Sequence, residues 1–304
     1  MRSSIGCFMA VDYHTGGRKL QGAKLAEVIS GRWGKPVNTA AHQKGGIHDD
    51  DTATELGFSG GTVAGSIHLE QFLPLLLETF GEDWWRKGVL SMYFRQATMD
   101  RQPVICRLQM GDAGQARVWM ENEGGELIME GTANLASCKV PTALALRLQQ
   151  LKPAGELRML RDFSLGQRME AQARVGKAFV DGQLRVITEP HEYLTTPDAF
   201  GQRVLSYTQM VRSFDAAEQL YMPVVVGPFV GLYGAIEIGF ENGPVLEETD
   251  YHATCEVVGL SDSPKTEILW RESRLSRDGK PVARMLKMDR LMKNASPLWN
   301  SSDV

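Results

Sequence analysis

The chain has 304 residues, 43% hydrophobic and 23% charged, with a formal net charge of -4. These proportions belong to a globular protein with room for about two domains. A pI near 5.9 argues against the basic footprint of a nucleic-acid binder. Four scattered cysteines, Cys7, Cys106, Cys138 and Cys255, contain no CxxC pair and argue against a disulfide frame or a zinc site.

Taken in chain order, the first apolar run, Ile5 to Val11, is too short for a signal-peptide core. The longest apolar clusters, "FLPLLL" (72–77) and "PVVVGPFVGLYG" (223–234), fall short of the roughly 20 residues that a membrane span needs. The expectation is a cytoplasmic protein with reduced thiols and neither a membrane nor a nucleic-acid partner.

Residues 45–65, "GGIHDDDTATELGFSGGTVAG", place a histidine before three aspartates, then a short helical stretch and a glycine-rich turn. Acids in the first turn of a helix are favoured by its dipole, and Thr52 with Glu55 has capping-box spacing. On that pattern Asp51 is a capping residue. A histidine paired with a carboxylate can also run general acid–base chemistry, which makes His48 with Asp49 or Asp50 the alternative reading. Gly65 and Ser66 then open a predicted helix over 66–81, with Ser66 as its N-cap and Pro74 as a kink or a true first turn. His68, on its first turn, is a candidate ligand contact, whereas His191 and His252 lack partner patterns and are read as structural.

Beyond that helix, "GVLSMYFRQAT" (88–98) and "VICRLQMGD" (104–112) read as strands, and "QARVWMENEGGELIMEGTANLA" (115–136) as a hairpin turning at "NEGG". Pro141 and Pro153 bracket an apolar connector. A second predicted helix (197–220) precedes strands at 231–240, 250–262, 265–275 and 280–288. A helix followed by an antiparallel meander, occurring twice, predicts an α+β chain of two similar units, with boundaries at 1–145 and 146–304.

Residues 38–138 resemble the MaoC-like, R-specific enoyl-CoA hydratase and dehydratase family, whose fold is the hotdog. The family pattern is Asp-x-Asn-Pro-x-His, an Asp two residues later, a short helix closed by Gly-Phe, and a Val-x-Gly turn. His48, Asp50, Leu56–Phe58 and Thr62–Gly65 occupy those places. The sequence departs where the family carries its catalytic Asp, which is Gln43 here, and where Gly45-Gly46 replaces Asn-Pro.

The resemblance implies a double hotdog, each unit a central helix wrapped by an antiparallel sheet, with a degenerate second unit. It also implies a lyase that hydrates a 2-enoyl thioester, or dehydrates a 3-hydroxyacyl thioester, carried on coenzyme A or acyl carrier protein. His48, Gln43 and Asp50 would be its catalytic residues, and Gly65, Ser66 and His68 its substrate contacts. No cofactor or metal is implied, and a homodimer is compatible. A hotdog thioesterase and a non-catalytic binder of acyl thioesters or a related small ligand are the alternatives.

Overall fold

A computed structural model describes residues 27–300. The run from Ile5 to Val11, and Cys7 within it, lie outside the described residues.

The first half contains β1 (Val28–Gly34), α1 (Asp50–Glu55), α2 (Gly65–Glu70), α3 (Leu73–Phe80), α4 (Trp84–Lys87), β2 (Gly88–Phe94), β3 (Val104–Met110), β4 (Gln115–Asn122) and β5 (Leu127–Leu135). After the connecting helix α5 (Ala143–Gln149) come β6 (Arg168–Ala173), α6 (Lys177–Leu184), α7 (Glu192–Thr195), α8 (Tyr207–Glu218), β7 (Gly231–Phe240), β8 (Tyr251–Asp262), β9 (Thr266–Arg277) and β10 (Lys280–Met292).

All ten strands form one sheet in the order β1-β3-β4-β5-β2-β7-β10-β9-β8-β6, and every neighbouring pair is antiparallel. Counted outward from the centre, each half repeats the same strand order. The halves join where β2 pairs with β7, from Val89↔Gly239 to Tyr93↔Ala235. This pairing closes what would otherwise be an open strand edge in each half.

β2 is buried at almost every residue, because both of its faces are covered. On one side lie the half-helices α3 and α8 with the main core, including Trp84, Trp85, Phe214 and Phe240. On the other side α5 seals a smaller core of Tyr93, Leu144, Ala235, Trp270, Leu286 and Met288. Thr142 caps α5 by accepting from Ala145 N, which starts the helix directly over the seam.

The predicted helix over 66–81 is two helices. The break follows Gln71, and Pro74 sits in the first turn of α3, where a missing N–H costs nothing. Ser66 is inside α2, whose N-cap is Ala64. The second predicted helix keeps only its 207–218 part, and Ser206 and Gln209 form its capping box.

Glu70, at the end of α2, is buried and accepts from Ser206 Oγ at 2.7 Å and Thr208 N at 3.1 Å at the start of α8. Trp84 Nε1 donates to Tyr207 Oη across the same junction at 3.0 Å. These bonds tie α2 and α4 to the start of α8 beneath the seam.

Close strand packing is testable at Gly131 on β5. A Cβ there would lie 1.8 Å from the Ser91 carbonyl oxygen, so Gly131→Ala must push β5 from β2. Overpacking typically costs about 1–3 kcal/mol, and the urea midpoint should fall accordingly. An unchanged midpoint would show that β5 and β2 can separate at Gly131 without cost.

Candidate active site

The aspartate run folds the loop that carries His48. Asp49 is buried and accepts from Lys44 Nζ at 3.0 Å, Gly45 N at 3.1 Å and the Thr52 hydroxyl. The Thr52 and Lys44 bonds hold its carboxyl well below the usual carboxylate range. Asp49 holds the N-cap position of α1 without a side-chain bond to the helix backbone, and Asp51 lies in the first turn rather than at the cap. Asp51 is exposed and reaches Lys44 at 3.3 Å. Asp50 Oδ1 accepts from Gly61 N at 2.7 Å and ties α1 to the glycine turn.

That scaffold fixes His48. Its backbone oxygen accepts from Asn38 Nδ2 at 2.7 Å, and its Nδ1 is 2.8 Å from the Thr62 carbonyl oxygen. A carbonyl only accepts, so Nδ1 carries the proton and Nε2 keeps a lone pair. Thr62 is itself placed by its N–H donating to Ile47 O at 2.8 Å.

The matching bond in the second half runs from Val204 N to Tyr193 O at 2.9 Å. Val204 occupies the place of Thr62, since each forms the isolated bridge before its half-helix. The residue after Tyr193, in the place of His48, is buried Leu194. His191 accepts from Tyr193 N at 3.4 Å, and His252 pairs with Glu170 at 3.2 Å on the outer strands.

His48, Gln43, Gly65 and His68 line one cavity of about 730 Å³. Asp50 and Ser66 do not line it, because Asp50 turns toward Gly61 and Ser66 is packed within α2. Gly65 begins α2 against the Phe94 ring, and a Cβ there would meet the ring at 2.5 Å. Any larger residue at 65 would have to push the Phe94 ring aside.

His68 Nε2 is 2.8 Å from Thr98 Oγ1, and its Nδ1 is buried without a partner. Burial lowers its pKa to about 4, so it is neutral at neutral pH. A histidine depressed in the fold binds its proton more readily when unfolded. Stability is therefore full above the unfolded value of 6.5 and falls as pH drops toward about 4. Between pH 7 and 4.5 wild type should lose about 2–3 kcal/mol more than His68→Gln, read from urea midpoints. Parallel pH curves would contradict this.

The cavity crosses the seam into the second half, where its wall holds Asp215 and Glu218 of α8, Arg271 of β9, and Lys287 and Asp289 of β10. Arg271 Nε donates to Asp289 Oδ2 at 3.1 Å and Nη1 to the Glu218 carbonyl at 3.1 Å. Lys287 Nζ contacts the Glu218 carboxylate and is 3.8 Å from Asp215 Oδ1. Burial alone would raise the Glu218 carboxyl, but Arg271 and Lys287 outweigh it and hold it low.

Motif reading around His48 misses this cluster, although its signal is present in the sequence. Period-two alternation puts Lys287 and Asp289 on the same face of β10 as the buried Met285 and Leu291. Among the described residues, no three His, Cys, Asp or Glu side chains gather as a metal site. No described helix is long and apolar enough to cross a membrane.

No family model matches the sequence, and no curated protein matches it. Solved structures do match in shape. A Chloroflexus aurantiacus protein described as a MaoC-domain dehydratase aligns with a TM-score of 0.65 at 11% identity, over 92% of this chain and 99% of that one. Rv0216 of Mycobacterium tuberculosis, described as a double hotdog, aligns with a TM-score of 0.58 at 10% identity, over 88% and 96%. A MaoC-like dehydratase aligns with a TM-score of 0.51 at 13% identity, over 88% and 98%. With its mirrored half-sheets and paired half-helices, this chain has the double hotdog fold that these proteins share.

Proposed function

We propose that the protein is a hydro-lyase that adds water to a 2-enoyl thioester, or removes it from a 3-hydroxyacyl thioester, carried on coenzyme A or acyl carrier protein. The observation that carries this reading is the His48 ring. Its Nδ1 bond to the Thr62 carbonyl leaves Nε2 as a fixed acceptor at a cavity that also exposes the start of α2.

Hydration needs a base to take a proton from water as its oxygen bonds to the β-carbon, and His48 Nε2 has that character. Charge then develops on the thioester oxygen. The first turn of α2 at Gly65, with its backbone N–H groups, suits that oxygen. Gln43 stands where the resembling family has its Asp, and its amide orients water or substrate without ionising. The dehydratase descriptions of proteins sharing this fold support the reaction class, while fold alone does not fix it.

The test is incubation of the purified protein with crotonyl-CoA and with R-3-hydroxybutyryl-CoA, following enoyl-thioester absorbance and free thiol. Interconversion without thiol release is the expected result. Thiol release would replace this reading with thioester hydrolysis. Binding with neither change would make the chain a ligand-binding protein.

A further inference from the structure

We propose that Asp215, delivered by α8 from the second half, is the catalytic acid that works opposite His48, so that the reacting centre is built from both hotdog units. This inference rests on the hydro-lyase reading and supplies the carboxylate that Gln43 lacks.

Among the described residues of the first half, no carboxylate lines the cavity. Asp49 is consumed by Lys44, Gly45 and Thr52, and Asp50 by Gly61 N. Among the described residues, the carboxylates that line the cavity are Asp215, Glu218 and Asp289, all from the second half. Two of these are held in place. Asp289 accepts from the Arg271 guanidinium, and Glu218 is gripped by Arg271, Lys287 and the Ser273 hydroxyl. Asp215 has the 3.8 Å approach of Lys287 and the longer-range fields of Arg271 and Arg212, but among the described residues no hydrogen bond holds its side chain, which is 24% exposed. It is the cavity carboxyl free to meet a substrate. His68 is a poor substitute, because burial keeps it unprotonated.

Helix packing brings the two walls together. The last residue of α2, Glu70, bonds to the first turn of α8. The first turn of α2 (Gly65, His68) and the last turn of α8 (Asp215, Glu218) line one cavity. The helices therefore pass each other antiparallel, which brings the first-half wall with His48 and the second-half wall with Asp215 to the same cavity. Burial raises the Asp215 carboxyl above its ordinary value, Lys287 opposes this, and the neighbouring Glu218 adds to it. Such a carboxyl holds a proton more readily than an exposed one.

Water oxygen bonds to the β-carbon and its proton passes to His48 Nε2. The alkene π pair moves onto the α-carbon and thioester oxygen, and the α-carbon then takes the Asp215 proton. The proton on His48 returns to the Asp215 carboxylate through solvent, which resets both groups.

The experiment compares wild type, Asp215→Asn, Asp215→Glu, His48→Ala and the Asp215→Asn/His48→Ala double variant on crotonyl-CoA, with thermal midpoints at pH 7. Asp215→Asn should lower kcat by about 10²-fold or more with KM within about threefold. Asp215→Glu should retain more activity than Asp215→Asn. The double variant should be about as slow as the slower single, because the two groups act as a unit.

Ionising a carboxyl whose folded pKa is raised costs stability above its unfolded value of 3.8. The Asn variant should therefore melt no lower than wild type at pH 7, and any gain should vanish below that value. A kcat for Asp215→Asn within about threefold of wild type overturns the proposal and leaves the hydro-lyase reading standing. A midpoint more than about 5 °C lower, with activity falling in step, also overturns it, in favour of a structural role. No turnover of either thioester by wild type overturns both.

Discussion

His48→Ala should lower kcat for crotonyl-CoA hydration by about 10²–10⁴-fold, the range that one general acid–base group supplies, while KM changes little. His48 is bound to its scaffold mainly through the backbone, where its carbonyl accepts from Asn38. The Ala variant therefore keeps that anchor and loses only the ring and its bond to the Thr62 carbonyl. A half-exposed ring with one hydrogen bond contributes roughly 0.5–1.5 kcal/mol to stability, so the fold should persist with a slightly lower urea midpoint. The measurement is initial rate against substrate concentration, with unfolding recorded on the same preparations. A kcat within a few-fold of wild type would mean that His48 merely lines the cavity and that the proton leaves by another route.

The sequence makes the strands of both meanders legible because most have one covered face. β8 alternates buried and partly exposed residues along nearly its whole length, and the β4–β5 hairpin turns at the Asn-Glu-Gly-Gly signal with Gly125 at positive φ. The outer strands β1 and β6 escape notice because they are short and mostly exposed at the sheet edges, with too few apolar positions to set a period.

His48 and Gly65, singled out by local pattern, both line the cavity. What fixes His48 is not legible, because the Thr62 carbonyl is backbone and any residue could supply it. Asp50 misleads for a related reason. Motif position brings it two residues from His48, but the helical start at Asp50 sends its carboxylate to Gly61. The far wall of the cavity depends on β2 pairing with β7, a contact across about half the chain that no local period encodes. Buried charges on β10 were the readable trace of it.

Lys287→Met should destabilise the protein by about 3–5 kcal/mol, the usual cost of removing one partner from a buried ion pair. Lys287 and Glu218 are both nearly inaccessible, at 3% and 2% side-chain exposure. Met matches the Lys stem in size and leaves the Glu218 carboxylate with Arg271 at 3.3 Å and the Ser273 hydroxyl at 2.8 Å. Arg271 already serves Asp289, so one cation is left between two buried acids.

Glu218→Gln/Lys287→Met removes one charge of each sign and keeps the Arg271–Asp289 pair whole. It should recover most of the loss, giving a clearly non-additive double-mutant cycle. The pH dependence has a defined sign. The Glu218 carboxyl is depressed in the fold, so its contribution is present above its unfolded value of 4.5 and is lost as pH falls through the folded value. The single-variant defect should accordingly shrink in acid, where a protonated Glu218 needs no cation. Urea midpoints at pH 7 and pH 4, with unchanged m, give both readings. A loss under about 1 kcal/mol at pH 7, in the range of an exposed surface pair, would show that Arg271 and Ser273 satisfy Glu218 without Lys287. That ammonium would then stand free to face whatever occupies the cavity.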